Sequence, residues 1–226
     1  MKGHIHELAS IPGPYYAKEM AVPIPVGDVS PAVGAAGDVW KSYTMALDDV
    51  ADRLQRITSA FSSAGVPYAL VGGQAVALWV ATKDPAAVRT TKDVDLLLHR
   101  DDLGRARAAA RGAELDYFET LGVGMFLDRR NPNPRHAVHI VWAGELVRPG
   151  ESVAAPNVSE RTTLPGGYQV ATLAKLVEMK LMAYRDQDRV HLRDLIDVGL
   201  VDKALLDELP AELAIRLKPL FDEQGI

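Results

Sequence analysis

The chain has 226 residues, 48% of them hydrophobic and 24% charged, a formal net charge of −5 and no cysteine. That length buries an ample core in one large domain or two small ones, and the composition is that of an ordinary globular protein. The acidic balance excludes a protein that coats nucleic acid with its whole surface, so an RNA partner needs a local basic patch, and the lack of cysteine excludes a disulfide framework and a Cys-based zinc site. No apolar run approaches the roughly 18 residues that span a membrane. No signal-peptide apolar core opens the chain, so the cytoplasm is the expected compartment.

Residues 1–38 read as an extended or disordered N-terminal arm, interrupted by Pro12, Pro14, Pro23, Pro25 and Pro31. Its Ile24, Val26 and Val33 are suited to wrapping the body or a partner, and its His4 and His6 bind metal only incidentally. From Asp38 to Ala64 the spacing of Leu47, Val50, Leu54, Ile57 and Phe61 predicts a helix, which Gly65 ends. A short strand over 68–71 runs into Gly72-Gly73 and a helix over 73–80. A strand over 93–98 follows, then a helix over 101–111, capped by Asp101 and ended by Gly112. Strands are expected over 115–121, 124–127 and 138–142, and 144–167 reads as loop with three prolines. A helical half begins at Thr172, with helices over 172–184 and 188–199. The expected class is α/β: a core over 39–167 with flanking helices, and a C-terminal helical region over 168–226 that closes a cleft.

The chemistry concentrates in two places. Asp93 and Asp95 precede and enter an apolar run, so strand alternation puts them on one side, about 7 Å apart. Carboxylates that close repel each other unless a cation sits between them. Hard oxygens near solvent suit Mg2+, which takes one or two carboxylates plus substrate phosphates. Upstream, Gly72-Gly73 between strand and helix lets backbone N–H groups approach a phosphate. Alone, such a glycine pair is more often a packing turn; followed by Asp-x-Asp it pairs a phosphate holder with a metal holder.

The helix over 172–184 has an apolar stripe of Leu173, Leu176, Val177 and Tyr184, with Lys180 in its middle. Either the lysine snorkels to solvent or it aims into the cleft at a phosphate. On the next helix His191, Asp194 and Asp197 step by three, and Asp194 lies between Val190 and Val198. Asp194 is read as partly covered, either in a structural ion pair or orienting Lys180 or a basic loop residue. Arg185, Arg189 and Arg193 supply positive charge for phosphate or RNA backbone, and Arg129, Arg130, Arg135 and His136 form the best basic loop for an RNA end.

Gly72, Gly73, Asp93 and Asp95 in this order resemble the nucleotidyltransferase superfamily of polymerase-beta-like fold. Arg89-Thr90-Thr91 before the acids, Lys180-Leu181 and Arg193-Asp194-Leu195-Ile196-Asp197 resemble its AbiEii-like branch, which includes toxins of bacterial toxin–antitoxin systems. The resemblance spans roughly Val66 to Val201. It implies a nucleotidyltransferase-type mixed sheet and transfer of NMP from an NTP such as ATP, with Mg2+ or Mn2+, to an acceptor hydroxyl. It implies that Asp93 and Asp95 hold metal and act in catalysis with Lys180 and Asp194. Gly72, Gly73, Arg89, Thr91 and Lys180 then bind nucleotide. The implied acceptor is RNA, foremost a tRNA 3′ end, with a cognate antitoxin as protein partner. The alternatives are a small hydroxylated molecule such as an antibiotic, a protein acceptor, or a degenerate member that only binds nucleotide or a partner. Two departures stand out: residues 81–86 read as an inserted loop, and the strand over 138–142 has His139 where many members carry a third acid.

Overall fold

The computed structural model describes residues 36–225 apart from positions 149 and 152. The expected N-terminal arm, with Ile24, Val26, Val33, His4 and His6, therefore lies outside the described residues up to position 35. Helix α1 (Ala36–Ser63) begins slightly before Asp38. Val50, Leu54, Ile57 and Phe61 are buried as the spacing requires. Gly65 ends the helix at φ 61°, with Val66 N–H donating to Phe61 O at 2.9 Å and Gly65 N–H to Ser62 O at 3.2 Å. Those are the two bonds of a Schellman turn, which a left-handed glycine permits.

Strand β1 (Ala69–Val71), helix α2 (Gly72–Ala81) and strand β2 (Val94–Leu98) follow, then helix α3 (Leu103–Gly112), β3 (Leu115–Thr120), β4 (Val123–Asp128) and β5 (Val138–Trp142). Asp101 does not cap α3. It lies inside a short 3-10 turn, Arg100–Asp102, which leads into the helix without a side-chain cap. The region 144–167, expected as loop, holds strand β6 (Arg161–Thr163), which pairs antiparallel with β7 (Gln169–Ala171). Both strands are only three residues long, too short to show alternation in a sequence. Helices α4 (Leu173–Ala183), α5 (Asp186–Asp197), α6 (Leu205–Glu208) and α7 (Ala211–Glu223) complete the described chain.

The seven strands form one mixed sheet in the order β3-β4-β5-β2-β1-β7-β6. The short central strand β1 pairs antiparallel with β2 and parallel with β7, and β2 pairs parallel with β5. This is the α/β class expected, with a mixed-sheet core, flanking helices and a helical C-terminal region.

Alternation along β2 sets up the two faces. Val94, Leu96 and Leu98 join the main core with α1, α2, α3 and the C-terminal helices. Leu97 points the other way, into a smaller cluster with Ala69, Val71, Val141, Ala155 and Ala171, against which Met179 of α4 packs. Each fully buried leucine contributes about 1.5–3 kcal/mol. Asp93 and Asp95 share the parity of Leu97, so the carboxylates lie on the face closed by this smaller cluster.

Among the described residues no helix is long and apolar enough to cross a membrane.

Candidate functional site

Gly72, Gly73, Thr91, Asp93, Asp95 and Lys180 line one cavity of about 370 Å³, together with Arg185, Asp186, Gln187 and His191. Its volume falls in the range of roughly 300–1,000 Å³ usual for small-molecule sites. A separate apolar pocket beside Met179 and Met182 holds only about 30 Å³ and touches neither Asp93 nor Asp95.

One wall is set by backbone. Gly72 opens α2 at φ 70°, a left-handed conformation that side chains disfavour. A Cβ there would stand 2.9 Å from the Asp95 carboxyl carbon and closer still to Oδ2. A Cβ at Gly73 would stand 2.8 Å from Thr91 Oγ1. The glycines thus let the helix start press against the carboxylate and the threonine. Val71 at the N-cap makes no side-chain cap, so no side chain of that residue takes up the first N–H groups of α2. Gln74 Nε2 donates to Thr91 O at 3.1 Å and pins the loop before β2 to the helix.

Asp95 is 5% exposed, across from Val71 on β1 and His139 on β5. His139 Nδ1 lies 4.0 Å from Asp95 Oδ1. The position expected for a third acid therefore does face the carboxylate, and histidine occupies it. Asp93 precedes β2 and is half-buried. Among the described residues no group of three or more His, Asp or Glu side chains could hold a metal ion. The donor set is two hard carboxylates at an open cavity, pressed against an uncapped helix start. That set fits Mg2+ or Mn2+ completing its shell with substrate phosphates.

The rest of the lining comes from α4, α5 and the turn between them. Lys180 is buried at 6% exposure and is not snorkelling: Nζ donates to Asp188 Oδ1 at 2.9 Å. Arg185 Nε donates to Asp188 Oδ2 at 2.8 Å. Burial pushes the Asp188 carboxyl up, but the Lys180 charge and the hydrogen bonds from Arg185 and Lys180 outweigh it and hold the carboxyl below its usual range. The α4–α5 turn is tight because Tyr184 adopts φ 45°. Its hydroxyl donates to Arg216 O at 2.8 Å, and the Arg189 and Arg216 guanidinium groups lie over its ring. Those contacts hold a residue that is not glycine in the left-handed region.

His191 is buried at 7% exposure, with its Nδ1 lacking a hydrogen-bond partner. Burial first, then the Lys180, Arg185 and Arg89 charges, push its pKa down to about 4 against the pull of Asp188. The imidazole is therefore neutral at pH 7.

Two expected residues sit outside the lining. Asp194 is covered, at 7% exposure, and accepts from Arg89 Nε at 2.8 Å on both oxygens. Asp194 thus orients a basic loop residue, Arg89, and Lys180 takes Asp188 instead. The arginines expected to meet RNA are mostly engaged: Arg129 with Asp116, Arg130 with Asp128 and Asp52, Arg189 with Asp186 and Arg193 with Glu223. The sequence reading missed Asp188. The signal was the buried lysine itself, which needs a carboxylate within reach.

No protein-family model matches the chain, and no curated protein matches it in sequence. Among solved structures, the antibiotic-resistance factor ANT(2'')-Ia is similar at 14% identity and TM-score 0.40, over 76% of this chain and 83% of that one. ANT(2'')-Ia in complex with adenylyl-2''-tobramycin is similar at 13% identity and TM-score 0.39, over 76% and 87%. The Megavirus polyadenylate synthase is similar at 10% identity and TM-score 0.37, over 82% of this chain and 36% of that one.

Proposed function

We propose that the chain is a metal-dependent nucleotidyltransferase that moves NMP from an NTP to an acceptor hydroxyl. The observation that carries this reading is the convergence, in one cavity, of an uncapped Gly-Gly helix start, two carboxylates and a buried lysine. Gly72 and Gly73 offer backbone N–H groups to phosphate. Lys180, held in place by Asp188, neutralises phosphate charge beside them. Asp93 and Asp95 are the residues that would hold Mg2+ or Mn2+. The ion supplies charge neutralisation on the triphosphate. The acceptor oxygen forms a bond to the α-phosphorus, the bond from that phosphorus to the bridging oxygen of the β-phosphate breaks, the acceptor hydroxyl's proton passes to solvent, and pyrophosphate leaves. Catalysis of this kind is mainly positioning and charge.

RNA, foremost a tRNA 3′ end, is the acceptor carried by the resemblance to AbiEii-like toxins, with an antitoxin as the matching partner. A second reading, transfer to a small hydroxylated molecule such as an antibiotic, is favoured by one observation: Arg129, Arg130, Arg189 and Arg193 are already paired with carboxylates.

The test is incubation with each α-labelled NTP and either total RNA or a panel of hydroxylated antibiotics. Labelled RNA whose yield falls steeply with salt supports the RNA acceptor. A labelled small molecule with little salt dependence supports the second reading. No labelled product from either pool or from a total protein extract, while nucleotide still binds, overturns transfer and leaves a nucleotide-binding module.

A further inference from the structure

His191 is a lining side chain to which the proposed chemistry gives no role. Its ring is more than nine-tenths buried, it borders the cavity, and its Nδ1 has no hydrogen-bond partner among the described residues. Buried polar atoms are almost always paired, and an unpaired one on a ring that borders a cavity asks for a partner that a ligand could bring once the ring turns toward it. Neutral imidazole offers one donor and one acceptor. A phosphate is a poor match, because the neutral ring adds no charge where Lys180 and Arg185 already stand. A hydroxyl is a good match, because it both donates and accepts and so suits either tautomer.

Position narrows the choice. Asp188 and His191 are three residues apart on α5 and therefore neighbours on its surface. Asp188 grips Lys180, so the imidazole lies about one helical turn from the anchor of the phosphate-facing lysine. In a nucleoside triphosphate, the neutral hydrogen-bond donors nearest the phosphates are the ribose hydroxyls, because the sugar joins the α-phosphate through a single methylene. The base lies farther out.

We infer that His191 is a specificity residue that hydrogen-bonds a ribose hydroxyl, so that the site selects ribonucleoside triphosphates over their deoxy analogues. The inference rests on the nucleotidyltransferase reading and refines it. A site built around a substrate hydroxyl rejects the analogue lacking it, because the buried polar atom is then left unpaired.

The test is equilibrium binding of the full chain, with Mg2+, to each ribonucleoside triphosphate and to its 2′-deoxy and 3′-deoxy forms. The parent protein binds one deoxy form at least about tenfold more weakly. His191→Leu removes that difference by weakening the ribonucleotide, and His191→Gln, which keeps a donor and an acceptor, retains part of it. Melting temperatures establish that each variant is folded, and should His191→Leu not fold, His191→Gln and the parent comparison decide. Equal binding of all three sugars by the parent, or a preference that survives in His191→Leu, overturns the inference while leaving nucleotide binding intact. Failure of every triphosphate to bind overturns the function beneath it as well.

Discussion

The carboxylate wall of the cavity comes from one stretch of chain, 72–95, where a left-handed glycine and strand alternation place Gly72, Gly73, Thr91, Asp93 and Asp95. The wall of Lys180, Arg185 and His191 comes from two helices and a strained turn, and charge holds it together. In the first wall geometry is fixed by backbone, so side chains there can be changed for function at small structural cost. In the second, Lys180 and Arg185 both grip Asp188, so the stability of the helix pair depends on that one buried carboxylate.

That contrast is sharpest at Asp188. Its replacement by alanine leaves Lys180 buried without its carboxylate, and the expected loss is about 3–5 kcal/mol by urea denaturation. A loss within about 1 kcal/mol would mean that the pair behaves as a surface salt bridge and that the helical wall is not held by charge.

Acid probes the same wall. The His191 value is depressed from 6.5 to about 4 in the folded protein, so between those pH values the unfolded chain binds the proton more readily. Stability from this group is fully present above pH 6.5 and is lost as pH falls toward 4, by up to about 3 kcal/mol. The depressed Asp188 carboxyl acts in the same direction, but only below its ordinary 3.8. His191→Gln should flatten the limb between 6.5 and 4 in melting curves taken across pH.

On the carboxylate wall, Gly72→Ala tests the backbone. The left-handed conformation alone costs a side chain about 1–2 kcal/mol, and the new methyl displaces the Asp95 carboxylate. Melting temperature and Mg-NTP affinity should fall together. An affinity that stays at the parent level would detach Asp95 from the nucleotide site. The smallest expected effect is Lys180→Met, which leaves Asp188 paired with Arg185 and stability close to the parent's. NTP affinity or turnover should drop by at least about tenfold, or ~1.4 kcal/mol. Unchanged binding and turnover would reduce Lys180 to a packing role.

The same contrast explains what the sequence made legible. Asp93, Asp95, Gly72 and Gly73 could be placed because period-2 alternation and a glycine turn are local rules, and the structure brings all four to one cavity. Lys180 was visible as a charge inside an apolar stripe. Its partner was not, because Asp188 lies across the Tyr184 turn on another helix, where spacing on a single helix says nothing. Asp194 is covered, as its place between Val190 and Val198 suggests, but its spacing left a structural ion pair, Lys180 and a basic loop residue all open as its role, and only folding pairs it with Arg89. Strands β6 and β7 escaped notice because three residues carry no period and neither Arg-Thr-Thr nor Gln-Val-Ala is an apolar run like β1; β7 takes its place by pairing with β1, and β6 pairs with β7 at the sheet edge.

The most direct measurement is calorimetric titration of NTP into the parent chain and into the Asp93→Asn/Asp95→Asn double variant, each with Mg2+ and with EDTA. The parent should bind NTP far better with Mg2+ than with EDTA, because carboxylates and phosphates share the ion's shell. The double variant should keep the parent's melting temperature and lose the metal-dependent part of binding. A double variant that binds Mg-NTP like the parent would contradict the assignment of this cavity as a metal-dependent nucleotide site.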